Sequence, residues 1–283
     1  MTQIITQLNP DVPPTGSDLG IINAARKSFG RRSEWDYTSL PKDDIDFHPS
    51  ERVRSLKDKD KRLLEFLARG MTAADFDEFC VDAYEASHDY RKTGKDKLIE
   101  LLWQWRNTPT HDTPFNHGFF SFEVKAPIFV ARHLVKHEYL IMSEYSRRYI
   151  TDDVEFYTPE VWRKAAADVK QGSSDEAVDS MYESLWDFAN VDEDYHAHMV
   201  ETVGLYNHML DQGIAPEQAR MVLPQSLMTS WTWSGTLGAF ANMCKLRLGS
   251  DTQAETREVA QAVYEELKKQ FPVAAPLLVE GVI

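Results

Sequence analysis

The sequence predicts an α+β fold. Two stretches alternate in the strand period: Phe120, Phe122 and Val124 against Ser121, Glu123 and Lys125, and SLMTSWTWSGT over 226–236. Segments at helical spacing stand before, between and after them, without the regular strand–helix–strand rhythm of a doubly wound sheet. No internal repeat, low-complexity tract or linker sets off a second domain, so residues 1–283 read as one.

In chain order, the polar, proline-containing residues 1–16 read as an arm. SDLGIINAARKSFG (17–30) reads as a helix opened by Ser17 or Asp18 and closed at Gly30. Residues 31–95 read as an insertion. Its charged, proline-broken part up to residue 61 looks like a surface loop, and KRLLEFLARGM and AADFDEFCVDAYEASHDY have helical spacing. KDKLIELLWQW is an amphipathic helix, with THDTPFNHG as a turn behind it. The strand at 120 runs into Pro127, placed to open a helix. Phe129, Val130, Leu134 and Val135 carry that helix, which should fade near His137. A dense polar run follows, Ser143, Glu144, Ser146, Arg147 and Arg148. Pattern alone also allows an ordinary strand–helix unit with a solvated, charged end.

FYTPEVWRKAAADV is expected to start a helix at Pro159, and 175–210 a second, with Met181, Leu185, Phe188 and Tyr195 buried. His196 and His198 lie two apart on that helix and point to different sides, so a structural role suits them better than a shared metal. No other cluster has metal-ligand spacing, and no metal is expected. PEQARMVLP (216–224) is a short helix. After the 226–236 strand, two helices meet near Gly249.

Composition narrows the function. The chain is 42% apolar and 27% charged, as soluble globular proteins are, and 283 residues can bury a substantial core. No run approaches bilayer length, and MTQIITQLNPDVPP lacks the basic start and apolar core of a signal peptide, so no membrane partner is expected. Cys80 and Cys244 are too few and too far apart for a disulfide framework, which points to a reducing, cytoplasmic setting. A net charge of −14 argues against nucleic-acid binding. If the ligands are phosphorylated, positive potential must be local, and clustered arginines become informative.

VKAPIFVAR, then Lys136-His137-Glu138, seven residues and Ser146, set within Glu144-Tyr145-Ser146-x-Arg148-Tyr149, resembles the flavin-dependent thymidylate synthases. That family carries Arg-His-Arg, seven residues and Ser, with Glu two before the Ser and Arg-Tyr just after. The spacing is kept, and Lys136 and Glu138 stand where the two arginines would be. The resemblance extends to Ala25-Arg26-x-Ser28 and to His111, Thr113 and His117, with Asn116 in place of a Glu. It extends also to Arg220, Asn242 and Arg247, and to Gln253, Glu255 and Arg257. Thr236 stands where relatives often have Asn, and Asp251 where they often have His.

The resemblance implies an antiparallel or mixed sheet flanked by helices, with 31–95 a partly helical insertion. It implies FAD-dependent transfer of a one-carbon unit from methylenetetrahydrofolate to C5 of a pyrimidine deoxynucleotide, dUMP to dTMP, with NADPH reducing the flavin and a homotetramer as the assembly. It implies no catalytic cysteine. Arg247 would be the catalytic group, holding the pyrimidine edge and stabilising developing negative charge. Glu144, Ser146, Arg147, Arg148, Arg220 and His133 would bind the nucleotide. Ser146 has no adjacent general base in the motif, so it is assigned to binding. His111, Thr113, Asn116, Lys136, His137, Glu138, Thr236 and Asn242 would line the cofactor.

The departures matter. Asn116 cannot act as a carboxylate base. Lys136 keeps a charge but loses the bidentate fork. Glu138 reverses sign beside a cofactor diphosphate, at a cost on the order of 1–3 kcal/mol unless it turns away or pairs with a cation. Three outcomes stay open. Cations elsewhere, from the insertion for instance, compensate. The enzyme treats a different pyrimidine nucleotide or attaches a different one-carbon group, methylating or hydroxymethylating dUMP or dCMP into a modified pyrimidine. Or the chain binds nucleotide without turnover.

Overall fold

The computed structural model describes residues 3–38, 53–107, 110–151, 154–166, 173–178 and 190–280. In chain order the elements are β1 (Ile5–Leu8), α1 (Asp18–Lys27), β2 (Asp36–Thr38), β3 (Val53–Ser55), α2 (Asp58–Arg69), α3 (Ala73–His88) and α4 (Lys92–Arg106). A 3-10 turn (Thr113–His117) leads into β4 (Phe119–Pro127), α5 (Ile128–Leu134), β5 (Leu140–Glu144), β6 (Arg163–Ala165) and β7 (Ser173–Ala177). Then come α6 (Val191–Asp211), α7 (Pro216–Ala219), a 3-10 turn (Arg220–Val222), β8 (Met228–Thr236), α8 (Leu237–Arg247), α9 (Ala254–Gln270) and α10 (Ala274–Val279). The α+β class holds.

The chain divides into two compact units. The first comprises Met1–Pro13, Ser121–Gly235 and Leu246–Val263, the second Pro14–Phe120, Thr236–Lys245 and Tyr264–Ile283. The main sheet has the order β1-β4-β8-β5, with β1 antiparallel to β4 and β5 antiparallel to β8. In the first unit, alternation puts Phe122, Val124, Trp231 and Trp233 into the core. The polar residues between them form a ladder instead. Ser234 Oγ donates to Ser121 Oγ (2.9 Å), and Glu123 Oε1 accepts from Thr232 Oγ1 (2.7 Å) and Asn9 Nδ2 (2.9 Å).

In the second unit, Ile21 and Ile22 of α1 are buried, and Phe120 packs against Phe240 and Phe271 with ring centroids 6.4 and 5.8 Å away. Ser17 caps α1 by accepting from the Gly20 amide (3.1 Å), and the buried Asp18 carboxylate accepts from the Val273 and Ala274 amides (3.0 and 2.9 Å). Gly118 is required where it stands, since a Cβ there would meet Phe271 Cζ at 2.4 Å.

Four expectations change. The N-terminal arm includes an edge strand, β1, recruited by the exposed backbone edge of β4. Within the stretch read as a surface loop, Asp36–Thr38 pairs with Val53–Ser55. Pro159 opens no helix. Arg163 lies opposite Ala177, and the Val178 amide donates to the Trp162 carbonyl (2.7 Å), so a hairpin takes backbone groups that local spacing assigned to a helix. For the same reason 173–177 is strand, and α6 starts only at Val191, capped by Asn190 Oδ1 on the Glu193 amide (3.1 Å). Met181, Leu185 and Phe188 lie outside the described residues.

Candidate active site

The first hollow forms where β5 ends. Glu144 faces Trp231 across the ladder, and its Oε1 accepts from Thr229 Oγ1 (2.8 Å), which fixes the carboxylate. The Tyr145 amide donates to the Ser230 carbonyl (2.9 Å), carrying the pairing one residue further before the chain turns. In that turn the Arg148 amide and Nε both donate to Ser146 Oγ (3.4 and 3.1 Å). Arg147 lies over the Tyr145 ring and Arg148 over Tyr149, 5.3 and 5.0 Å from the centroids, which holds both guanidiniums near the turn. Arg220 joins them from 72 residues further along. Three arginines and one carboxylate thus line a hollow of about 440 Å³, a local positive excess in an acidic chain.

The second hollow is larger, about 990 Å³, and is also confined to the first unit. α5 carries His133, and a tight turn then brings His137. Tyr139 closes that turn at φ 63°, a left-handed conformation in which a bulky side chain is strained. Arg247 Nε donates to His137 Nε2 (2.9 Å), and Arg247 Nη2 donates to the His133 carbonyl (3.2 Å). A guanidinium only donates, so His137 is neutral and carries its proton on Nδ1. Burial first, and the Arg247 charge second, hold His137 down at about 4. His133 is also lowered, by burial, then by Arg247 and Lys136. Its Nδ1 lies 3.1 Å from Thr256 Oγ1, and Thr256 is fully buried, so the first turn of α9 orients this ring.

The remaining walls include residues to which the sequence assigned no role. Arg163 Nη2 bonds Glu255 Oε1 at 2.5 Å, with the Glu255 side chain only 6% exposed. Burial, then Glu255 and Glu258, push the Tyr157 phenol up to about 12. Tyr195 Oη donates to the Tyr157 carbonyl (2.6 Å), and Trp162 Nε1 to Asp192 (2.6 Å). The signal was available in FYTPEVWR, where three aromatics stand within seven residues next to an arginine. α5 and the 220–229 segment supply residues to both hollows: Ile128, Leu223 and Leu227 to the first, Phe129, Pro224 and Gln225 to the second.

A family model for the thymidylate synthase complementing protein matches residues 17–273. The chain belongs to this family. A flavin-dependent thymidylate synthase of Thermus thermophilus is 38% identical over 177 residues, 62% of this chain. That of Treponema denticola is 35% identical over 187 residues, 65% of this chain and 67% of its own length. The match spans 61% of the length of the Thermus relative. Among solved structures, a UMP/dUMP methylase, PolB from Streptomyces cacaoi, bound with 5-Br dUMP, aligns at TM-score 0.61 and 24% identity. That alignment covers 97% of this chain and 94% of PolB. The same protein bound with 5-Br UMP aligns at TM-score 0.64 and 22% identity, covering 99% and 95%. These two structures share the fold.

The family positions are distributed over both units. Glu144, Ser146, Arg147, Arg148 and Arg220 share the first hollow, and His133, Lys136 and Arg247 line the second, with His137 bonded to Arg247. Glu138 is exposed, lines neither hollow, and has no ion pair among the described residues. In the second unit, His111 and Thr113 line a hollow of their own. Thr236 Oγ1 accepts from the Ala239 amide (3.2 Å) as the cap of α8 and donates to Asn116 Oδ1 (2.7 Å). The absence of a side chain at Gly238 leaves room for that amide, since a Cβ would meet Asn116 Oδ1 at 2.8 Å. Asn242 is exposed on α8. Cys244 is buried, and burial pushes its thiol up, away from a nucleophilic state, whereas Cys80 is exposed. His196 and His198 are exposed on α6. Among the described residues no group of His, Cys, Asp and Glu could hold a metal, and no helix is long and apolar enough to cross a membrane.

Proposed function

We propose that the protein is an enzyme transferring a one-carbon unit to C5 of a pyrimidine deoxynucleotide, dUMP to dTMP. FAD would be its redox cofactor, methylenetetrahydrofolate the carbon donor and NADPH the reductant. The observation that carries this reading is the gathering of Arg147, Arg148 and Arg220 around one hollow in a chain of net charge −14. Such a site suits a phosphate, which guanidiniums bind through charge-assisted hydrogen bonds. Glu144 keeps one oxygen on Thr229, and its other oxygen can take a ribose hydroxyl.

Arg247 suits the pyrimidine. Arg163 is neutralised by Glu255, whereas Arg247 rests on a neutral imidazole and a carbonyl, so its charge remains available to a ring that becomes negative. Neutral His137 holds the guanidinium without competing for that charge. FAD, when bound, would supply the hydride. The relatives' name supports this reading. Methylation of another pyrimidine nucleotide, UMP or dCMP among them, is the second reading. It draws on Lys136 and Glu138 and on the fold shared with a UMP/dUMP methylase. A homotetramer is supported by the edge strand β5, where Ile141 is 69% exposed, and by Tyr139 just before it, 84% exposed.

Calorimetry with dUMP, dCMP and UMP, paired with single-turnover assays, tests the proposal. Arg220→Ala should lose mainly binding, about 2 kcal/mol, the scale of a charged hydrogen bond. Arg247→Lys should lose turnover more than binding, because the fork matters most when the ring is charged. If both variants bind every nucleotide as the unaltered protein does, the nucleotide site is elsewhere.

A further inference from the structure

Two histidines flank Arg247, and their hydrogen bonds set their protons on opposite nitrogens. His137 accepts from Arg247 Nε through Nε2 (2.9 Å), so its one proton sits on Nδ1. His133 is arranged the other way. Its Nδ1 meets Thr256 Oγ1 at 3.1 Å, and the surroundings of the hydroxyl decide which of the two donates. Thr256 is fully buried in the first turn of α9, so its hydroxyl proton needs a protein acceptor. A helical threonine can donate to the carbonyl four residues back. Here the Thr252 carbonyl accepts from Arg257 Nη2 instead (2.8 Å). His133 Nδ1 is the hydroxyl's one partner among the described residues, and so it is the acceptor.

Burial, then Arg247 and Lys136, hold His133 below its ordinary value, so at neutral pH the ring carries a single proton. With Nδ1 accepting, that proton is on Nε2. The Nε2–H has no protein partner among the described residues, and its ring lines the hollow of about 990 Å³. Arg247 lines the same hollow. It gives Nε to His137 and one Nη2 hydrogen to the His133 carbonyl (3.2 Å), which leaves its other N–H groups for a ligand. Imidazole and guanidinium thus offer a ligand donors and no acceptor.

An edge made of donors discriminates between pyrimidines. Uracil carries a carbonyl oxygen at C4, an acceptor, whereas cytosine carries an amino group there, a donor. The oxygen can bond an N–H. The amino group sets donor against donor and leaves polar groups unpaired in a part-buried site.

We propose that His133 is a base-selecting residue, with its Nε2–H directed at the C4 substituent of the pyrimidine, and that Thr256 is the positioning residue that fixes its tautomer. The substrate class is then the uracil nucleotides, with cytosine nucleotides rejected. The inference rests on the proposed function for the placing of the pyrimidine beside Arg247.

The test uses the full chain and two readouts. Nitrogen NMR of histidine-labelled protein separates protonated from unprotonated ring nitrogens, with signals assigned by His133→Gln and His137→Gln. His133 should carry its proton on Nε2 and His137 on Nδ1. Thr256→Val, which removes the hydroxyl and keeps the branched shape, should return His133 to a mixture of tautomers. Calorimetry with dUMP, dCMP and the 2-pyrimidinone deoxynucleotide, which has no group at C4, reads the choice of base. The unaltered protein should bind dUMP about tenfold more tightly than dCMP, with the 2-pyrimidinone between them, because it loses a bond without opposing a donor. Thr256→Val should cut that preference below about threefold, and so should His133→Gln, whose amide can turn either its oxygen or its nitrogen to the ligand. Arg220→Ala should weaken all three nucleotides alike and keep the preference. Melting curves verify folding. The inference is overturned if the unaltered protein does not prefer dUMP, if His133 carries its proton on Nδ1, or if both variants keep the preference. In each of those cases, binding that Arg220→Ala weakens leaves the nucleotide site of the proposed function standing. If none of the three nucleotides binds, that reading and the inference fail together.

Discussion

Replacing Arg247 with Gln separates the two causes that keep His137 neutral. Its ordinary value of 6.5 falls to about 4, with burial the larger cause and the Arg247 charge the second. Two unit charges about 4 Å apart at an effective dielectric near 20 would interact by ~4 kcal/mol. At about 1.4 kcal/mol per pH unit, that alone would exceed the whole gap. Since burial is the larger cause, screening at this half-buried site must cut the charge effect to less than half of it. Arg247→Gln should therefore raise His137 to about 5, still below 6.5. Proton NMR titration of the imidazole C–H signals, assigned with His137→Gln, measures this. A value that stays near 4, or returns fully to 6.5, refutes the division of causes. The sign for stability follows. The folded value lies below the unfolded one, so between about 4 and 6.5 the unfolded chain binds more protons. The contribution is fully present above pH 6.5 and is lost as pH falls through about 4, where a protonated Nε2 also stops accepting from Arg247.

Two other substitutions probe the frame. Arg26→Met leaves Asp60, with no exposed side-chain surface, buried without its cation, and should cost about 3–5 kcal/mol in denaturant unfolding; a loss below about 1 kcal/mol would show that water replaces the arginine. Tyr139→Gly removes left-handed strain worth about 1–2 kcal/mol against a glycine entropy cost of about 0.5–1. Because the ring is 84% exposed, thermal melts should show the variant equal or slightly more stable. A clear loss would mean that the ring is covered in the assembled protein.

What the sequence revealed follows from locality. The strands at β4 and β8 were legible because alternation is written in consecutive residues, and Ser17 because a cap acts within one turn. β1 was not, since Gln7 finds its partner at Glu123 and its own segment has too few residues to show a period. The β6–β7 hairpin was misread because apolar spacing around Trp162 does not reveal a partner strand. The motif brought Arg148 and Arg220 to attention together, but neither the Arg163–Glu255 pair nor the Arg26–Asp60 pair could be read, since each depends on what lies across space.

The first turn of α9 holds three walls of the larger hollow with three consecutive residues: Glu255 on Arg163, Thr256 on His133, and Arg257 on the carbonyls of Ser250 and Thr252 (2.7 and 2.8 Å). Consecutive helical residues fan out by about 100°, so adding or deleting one residue between this turn and the buried Val263 and Leu267 of α9 would turn all three off their partners at once. No compensating change at a single partner could restore the set. Evolution can therefore rewrite the letters of this stretch of helix one at a time, but it cannot easily change their number. Residue count, rather than residue identity, becomes the inherited quantity there.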